Sequence, residues 1–119
     1  MLETDRAWAA GLFDGEGSTC NYRGNWDATG KAKVYVRCCL GQKDPRVLIK
    51  FHRIVLVGNI RERVINNQPF FDWTAGAATD VTVVFNILAP YLGDVKITQL
   101  QQAVAATTHV GGHYKEKST

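Results

Sequence analysis

The sequence predicts an α+β fold: an antiparallel sheet with helices gathered on one of its faces. Three observations lead there. Hydrophobic periodicity alternates in the order helix, two strands, helix, two strands, then one or two helices. The strand runs come in pairs joined by turn-rich links, which antiparallel pairing requires. The better strands alternate apolar and polar residues, so one face can be covered while the other stays open to a partner.

The first helix is predicted over residues 4–13, with Thr4 as N-cap and Trp8, Ala9, Leu12 and Phe13 as apolar contacts. Asp14-Gly15-Glu16-Gly17 should stop it. A weakly patterned strand over 18–23 follows, then a turn-rich link and a clear strand over 33–40. There Val34, Val36, Cys38 and Leu40 share one face, and Lys33, Tyr35, Arg37 and Cys39 the other. Asp44 is a natural N-cap and Pro45 a natural first residue for a second helix. Val47, Leu48, Phe51, Ile54 and Val55 form its apolar stripe, and Gly58 closes it. Strands over 59–65 and 68–74 flank Asn66-Asn67. A third helix is expected over about 80–89, broken by Pro90 and Gly93, and a fourth from about Val95. Trp8, Phe71 and Trp73 are expected in the core, and Trp26 outside it.

The chain has 119 residues, which fits one domain over residues 1–110 with a loose tail at 111–119. With 45% hydrophobic and 21% charged residues it is ordinary globular composition, not disordered or fibrous. No apolar run reaches the roughly 18–20 residues that would span a bilayer, so no membrane partner is expected. Met1-Leu2-Glu3-Thr4-Asp5-Arg6 lacks a signal-peptide pattern. Cys20, Cys38 and Cys39 are an odd count, and strand neighbours point to opposite faces, which disfavours a disulfide framework. A reduced, intracellular protein is expected. The formal charge of +3 permits a nucleic-acid partner without demanding one.

Two oddities mark the first helix. Gly11 lies inside it, at a cost of about 1 kcal/mol relative to alanine, which close approach of another helix across Ala9-Ala10-Gly11 would offset. Asp14 and Glu16 stand at its C-terminus, where the helix dipole disfavours carboxylates. Arg46 and Lys96 are the converse, cations in the first turn of their helices. His109 and His113 are four apart, but Gly111-Gly112 between them breaks a helix, so a zinc site is not expected.

Ala9-Ala10-Gly11-Leu12-Phe13-Asp14-Gly15-Glu16-Gly17 resembles the motif of the LAGLIDADG homing endonucleases. The order αββαββα also matches that family. So do Leu40-Gly41-Gln42-Lys43-Asp44-Pro45-Arg46 at the second helix start and Ala89-Pro90-Tyr91-Leu92, then Lys96, before the fourth helix. A single copy of the motif implies a homodimer, with Ala9, Ala10, Gly11 and Leu12 at the helix–helix interface.

The resemblance implies a site-specific double-strand DNA endonuclease working by divalent-metal-dependent phosphodiester hydrolysis and leaving 3′ overhangs. Glu16 would bind metal, aided by the backbone carbonyl of Gly15 and, less centrally, by Asp14; Glu16, Gln42, Arg46 and Lys96 would be catalytic. The implied ion is Mg²⁺ or Mn²⁺, with Ca²⁺ able to occupy the site without supporting cleavage. Glu replaces the commoner Asp at the motif's eighth place, which the family tolerates. A two-stranded ribbon fits the major groove, and the DNA-facing residues are expected to be Lys33, Tyr35, Arg37, Arg61, Arg63, Gln68, Phe70 and Asp72. On the first strand Thr19, Asn21 and Arg23 alternate with Cys20 and Tyr22; pattern alone does not choose between the two sets, and the resemblance favours Cys20 and Tyr22. Arg61 and Arg63 suit guanine, Gln68 adenine and Asp72 cytosine. Lys50, Arg53, Lys115 and Lys117 suit phosphate or water. The same fold would also serve a non-cleaving DNA-binding regulator or an intron RNA maturase. A protein-interaction domain using Ala10-Gly11 is a third reading.

Overall fold

The computed structural model describes residues 2–26 and 28–108. The expected tail at 111–119, with its lysines, and the His109–His113 pair lie outside the described residues. The order is α1 (Glu3–Glu16), β1 (Ser18–Trp26), β2 (Ala32–Gln42), α2 (Pro45–Val55), β3 (Asn59–Ile65), β4 (Gln68–Ala75), α3 (Ala78–Leu88), a 3-10 turn (Ala89–Tyr91) and α4 (Asp94–Ala105). The four strands form one antiparallel sheet in the order β1-β2-β4-β3. This is the α+β architecture the sequence predicts.

The even-numbered side of β2 makes the core. Val36, Cys38 and Leu40 meet Trp73 and Ala75 of β4 and the apolar stripes of the helices: Phe13, Leu48, Phe51, Val81, Val84, Leu88 and Leu100. Trp73 is fully buried, edge-on to Phe51 at 4.8 Å, and donates its indole N–H to the Val57 carbonyl at 2.9 Å. Burying the ring therefore leaves no polar group unpaired. Phe71 is half-buried against this core, as is Trp8, which carries the Lys50 ammonium 4.2 Å from its ring centre. Trp26 is 72% exposed. Among the described residues no helix is long and apolar enough to cross a membrane.

Helix α2 starts where Asp44 and Pro45 place it, with Asp44 accepting from the Arg46 N–H at 2.9 Å. It ends at Leu56, in the left-handed region at φ 64°, two residues before Gly58 at φ 91°. Asn66 and Asn67 take φ 52° and 64°, a two-residue hairpin turn that asparagine tolerates and that matches strand twist. The first helix departs from expectation at both ends. Leu2, not Thr4, is its N-cap, and Thr4 lies within the first turn. Gly15 does not stop the helix; the chain turns at Gly17 instead.

Candidate nucleic-acid interface and acidic centre

The two charge oddities of the sequence resolve each other. Asp14, near the end of α1, accepts the Gly93 N–H on both carboxylate oxygens, at 3.0 and 3.1 Å, and Gly93 is the N-cap of α4. Lys96, in the first turn of α4, donates to the Gly17 carbonyl at 2.6 Å, at the end of α1. Each charge that opposes its own helix dipole complements the other helix's dipole. Asp14 is thereby committed to joining α1 and α4, with both oxygens used. Glu16 is left at the tip of α1, exposed.

Arg46 and Gln42 are not drawn to that carboxylate. Arg46 binds Asp44 through Nε, at 3.0 and 3.1 Å, and Nη2, at 2.7 Å, while its side chain stays 87% exposed. The guanidinium holds Asp44 down to about 2, well below the usual carboxylate range, and the carboxylate raises Arg46 in return. Gln42 is half-buried and pairs with Phe71 on the strand parity of Leu40, the side that carries the helices. Among the described residues, no hydrogen bond or ion pair links Gln42 or Arg46 to Glu16, and no group of three or more His, Cys, Asp or Glu could hold a metal ion. Gly15 is exposed, with nothing within 4 Å of where a Cβ would lie, so its backbone is uncovered.

The sheet's other face carries most of the residues expected to meet DNA. Strand register places Cys20 opposite Arg37 and Tyr22 opposite Tyr35, whereas Asn21 points to the helices and donates to the Ala103 carbonyl of α4 at 2.8 Å. Cys20 and Tyr22 are thus on the open side. The Tyr22 and Tyr35 rings stack at 5.3 Å, and the Arg37 guanidinium lies 5.1 Å from the Tyr22 ring centre. Tyr35 corrects the expectation: at 2% exposure it packs beside Tyr22 across the strand pair and presents no edge to nucleic acid. On the other strand pair, Arg61 and Gln68 are exposed, and Arg63 leans over Phe70 at 5.8 Å. Phe70 lies flat over Gly41, where a Cβ would come within 2.8 Å of its ring. Asp72 is ion-paired with Arg63, whose Nη2 donates to it at 3.2 Å. That carboxylate is therefore occupied in holding Arg63 rather than free to accept from cytosine.

The expected dimer ridge also needs correction. Ala9 and Ala10 are completely buried within their own chain, so they cannot touch a second helix. Gly11 is exposed with open space beyond it, and Leu12 is half-buried. The outward line of small residues is instead Ala7, Gly11 and Gly15. Their four-residue spacing was the available signal, since positions i and i+4 share a helix face.

No protein-family model matches the chain, and no curated protein does. Solved structures do. The homing endonuclease I-CvuI, in complex with the I-CreI target, superposes with a TM-score of 0.73 at 22% identity, over 87% of this chain and 65% of that one. An archaeal intron-encoded homing endonuclease, I-Vdi141I, complexed with DNA, gives 0.72 at 19% identity, over 85% and 65%. The LAGLIDADG meganuclease I-CpaMI, bound to uncleaved DNA, gives 0.66 at 19% identity, over 84% and 37%. This chain therefore has the fold of the LAGLIDADG homing endonucleases and spans less than two thirds of each of these proteins.

Proposed function

We propose that this chain is a single-motif LAGLIDADG homing endonuclease, a homodimer that binds a long palindromic or nearly palindromic DNA duplex and hydrolyses both strands with a divalent metal. The observation that carries the reading is the junction of α1 and α4. Asp14 and Lys96 exchange charges across it and leave Glu16 as the exposed carboxylate at the tip of the motif helix. The DNA complexes of proteins with the same fold support it.

The donors fit a hard cation. Glu16 offers a carboxylate, and Gly15 a carbonyl in the last turn of α1, where carbonyls lack helical partners. Oxygen donors of this kind suit Mg²⁺. Mg²⁺ takes few protein oxygens and completes its shell with water and phosphate oxygens, so this donor pair would suffice to hold it against DNA, and a second copy would bring a second carboxylate. When bound, the ion supplies Lewis acidity and a more acidic attacking water.

The remaining work falls to the chain's own side chains. Lys96 holds the Gly17 carbonyl at the turn that follows Glu16, and its ammonium would offset the phosphoryl charge that builds up in the reaction. Arg46, tethered through one edge to Asp44, keeps an exposed edge for a phosphate oxygen. Gln42, half-buried at the end of β2, would help to position water. Arg37, Arg61, Arg63 and Gln68 would read base edges from the open sheet face.

The test begins with duplexes selected from a randomised pool by binding, then incubated with Mg²⁺ or Mn²⁺. Double-strand cleavage with 3′ overhangs is expected, and Glu16→Gln should slow it roughly 10²-fold or more while leaving binding intact. Unchanged cutting by Glu16→Gln would refute the assignment. Binding without cleavage by the unaltered chain would favour the regulator or maturase reading.

A further inference from the structure

The open face of β1 and β2 carries two thiols whose sulfur chemistry the endonuclease reading does not use. Cys20 is exposed, with the Arg37 guanidinium 3.9 Å from its sulfur. Cys39 is partly exposed on the same face and meets the Ser18 hydroxyl at 3.1 Å. Strand register pairs Cys20 with Arg37 and Ser18 with Cys39, which makes the two cysteines diagonal neighbours. Cys38, between Arg37 and Cys39 in sequence, points the other way and is fully buried in the core. Burial pushes its thiol up, towards the protonated and unreactive form.

We infer that Cys20 and Cys39 form a thiol-modification site for small anionic disulfides, led by Cys20, and that an adduct there closes the nucleic-acid face. Lys33 and Arg37 give this face positive charge, which attracts an anionic reagent such as oxidised glutathione. In the reaction the Cys20 thiol gives up its proton and its sulfur attacks one sulfur of the disulfide. The new S–S bond forms as the reagent's own S–S bond breaks. The departing half leaves as a thiolate and takes up the proton. Cys20 is oxidised, the departing half is reduced, and no further oxidant is needed.

The adduct persists, because Cys39 is badly placed to displace it. Diagonal residues on paired strands lie about 7–8 Å apart, whereas a disulfide needs Cβ atoms roughly 3.5–4.5 Å apart. A bulky anion is then fixed beside Arg37, where like-charge repulsion opposes phosphate.

The part concerning DNA rests on the proposed function; the part concerning the thiols does not. The full chain is treated with oxidised glutathione or with neutral hydroxyethyl disulfide, and the adducts are mapped by mass spectrometry. Cys20 should react first, Cys39 more slowly and Cys38 only after denaturation, with salt slowing the anionic reagent more than the neutral one. Equal reaction at Cys38, or none at Cys20, overturns the site. On a selected duplex the modified chain should bind roughly tenfold more weakly or worse than the untreated chain and recover in dithiothreitol, whereas a Cys20→Ser/Cys39→Ser variant, whatever its own affinity, should bind equally before and after treatment. Unaltered affinity in a mapped adduct overturns the closure of the face. Failure of the unmodified chain to bind any duplex refutes the DNA reading instead, and the adduct map still decides the site.

Discussion

A Cβ on Gly17 would lie 2.5 Å from Cδ1 of Phe13, a ring that is itself fully buried, so the chain can leave α1 there only without a side chain. The backbone is not the obstacle, since φ is −76°, open to any residue. Close approach is. Gly17→Ala should therefore behave as an overpacking substitution and destabilise the fold by about 1–3 kcal/mol. The expected result is a lower urea midpoint with an unchanged slope. The same change would displace the carbonyl that Lys96 holds, so activity should fall further than stability alone explains. From sequence, Gly17 could be read only as a helix stop. The Phe13 ring beneath it lies one helical turn back, but the lysine above it comes from a position far along the chain that no local pattern links to it. The Arg63–Asp72 pair is similar: each residue suits a base when taken singly, register sets Asp72 opposite Arg61, and only the folded strands show that Arg63 reaches it along the diagonal.

Among the elements, α2 is the one whose start is written locally. Asp44 caps the Arg46 N–H and binds the Arg46 side chain, all within three residues. Its carboxyl is held at about 2, below an ordinary value of about 4. A depressed folded-state pKa stabilises fully above the unfolded value and is lost as pH falls through the folded one. The cap should therefore persist from neutral pH to about pH 4 and weaken between there and about pH 2. NMR titration of the Asp44 carboxyl should show its midpoint near 2, and Arg46→Ala should move it up part of the way, because the backbone N–H remains. A midpoint unmoved by Arg46→Ala would disprove the side-chain share. Helix α1 differs, running from Glu3 to Glu16 where the sequence predicts residues 4–13. Its N-cap, Leu2, has no capping side chain, and its C-terminus is completed by Gly93 and Lys96, far along the chain. Strands β3 and β4 were legible because alternation and a two-asparagine turn are local. The inward Ala9 and Ala10 were not, since small residues look alike whether they face their own core or a partner.

On the scale of the whole molecule, size and symmetry decide what the site can do. The longest dimension is 46 Å, which at 3.4 Å per base pair covers about 13 base pairs. One chain brings one Glu16 to the tip of α1, whereas cutting two strands calls for two such centres. In the proposed dimer a second copy related by a two-fold axis would provide both and would double the formal charge of +3. The outward line of Ala7, Gly11 and Gly15 is the surface on α1 where two helices could approach closely. Gly11 tests this cleanly, because nothing within 4 Å opposes a side chain there in the single chain. Gly11→Leu should leave the fold intact, or stabilise α1 by up to about 1 kcal/mol, since leucine is the better helix former. Association should nevertheless be lost, because a branched side chain holds the two helices apart. Sedimentation should then show the unaltered chain as a dimer and the variant as a monomer with the same circular dichroism. Cleavage of a palindromic duplex should disappear with the dimer, while weak, salt-sensitive binding through one sheet survives. A Gly11→Leu chain that still dimerises and cuts would place the two-fold contact elsewhere and detach α1 from the role proposed for it.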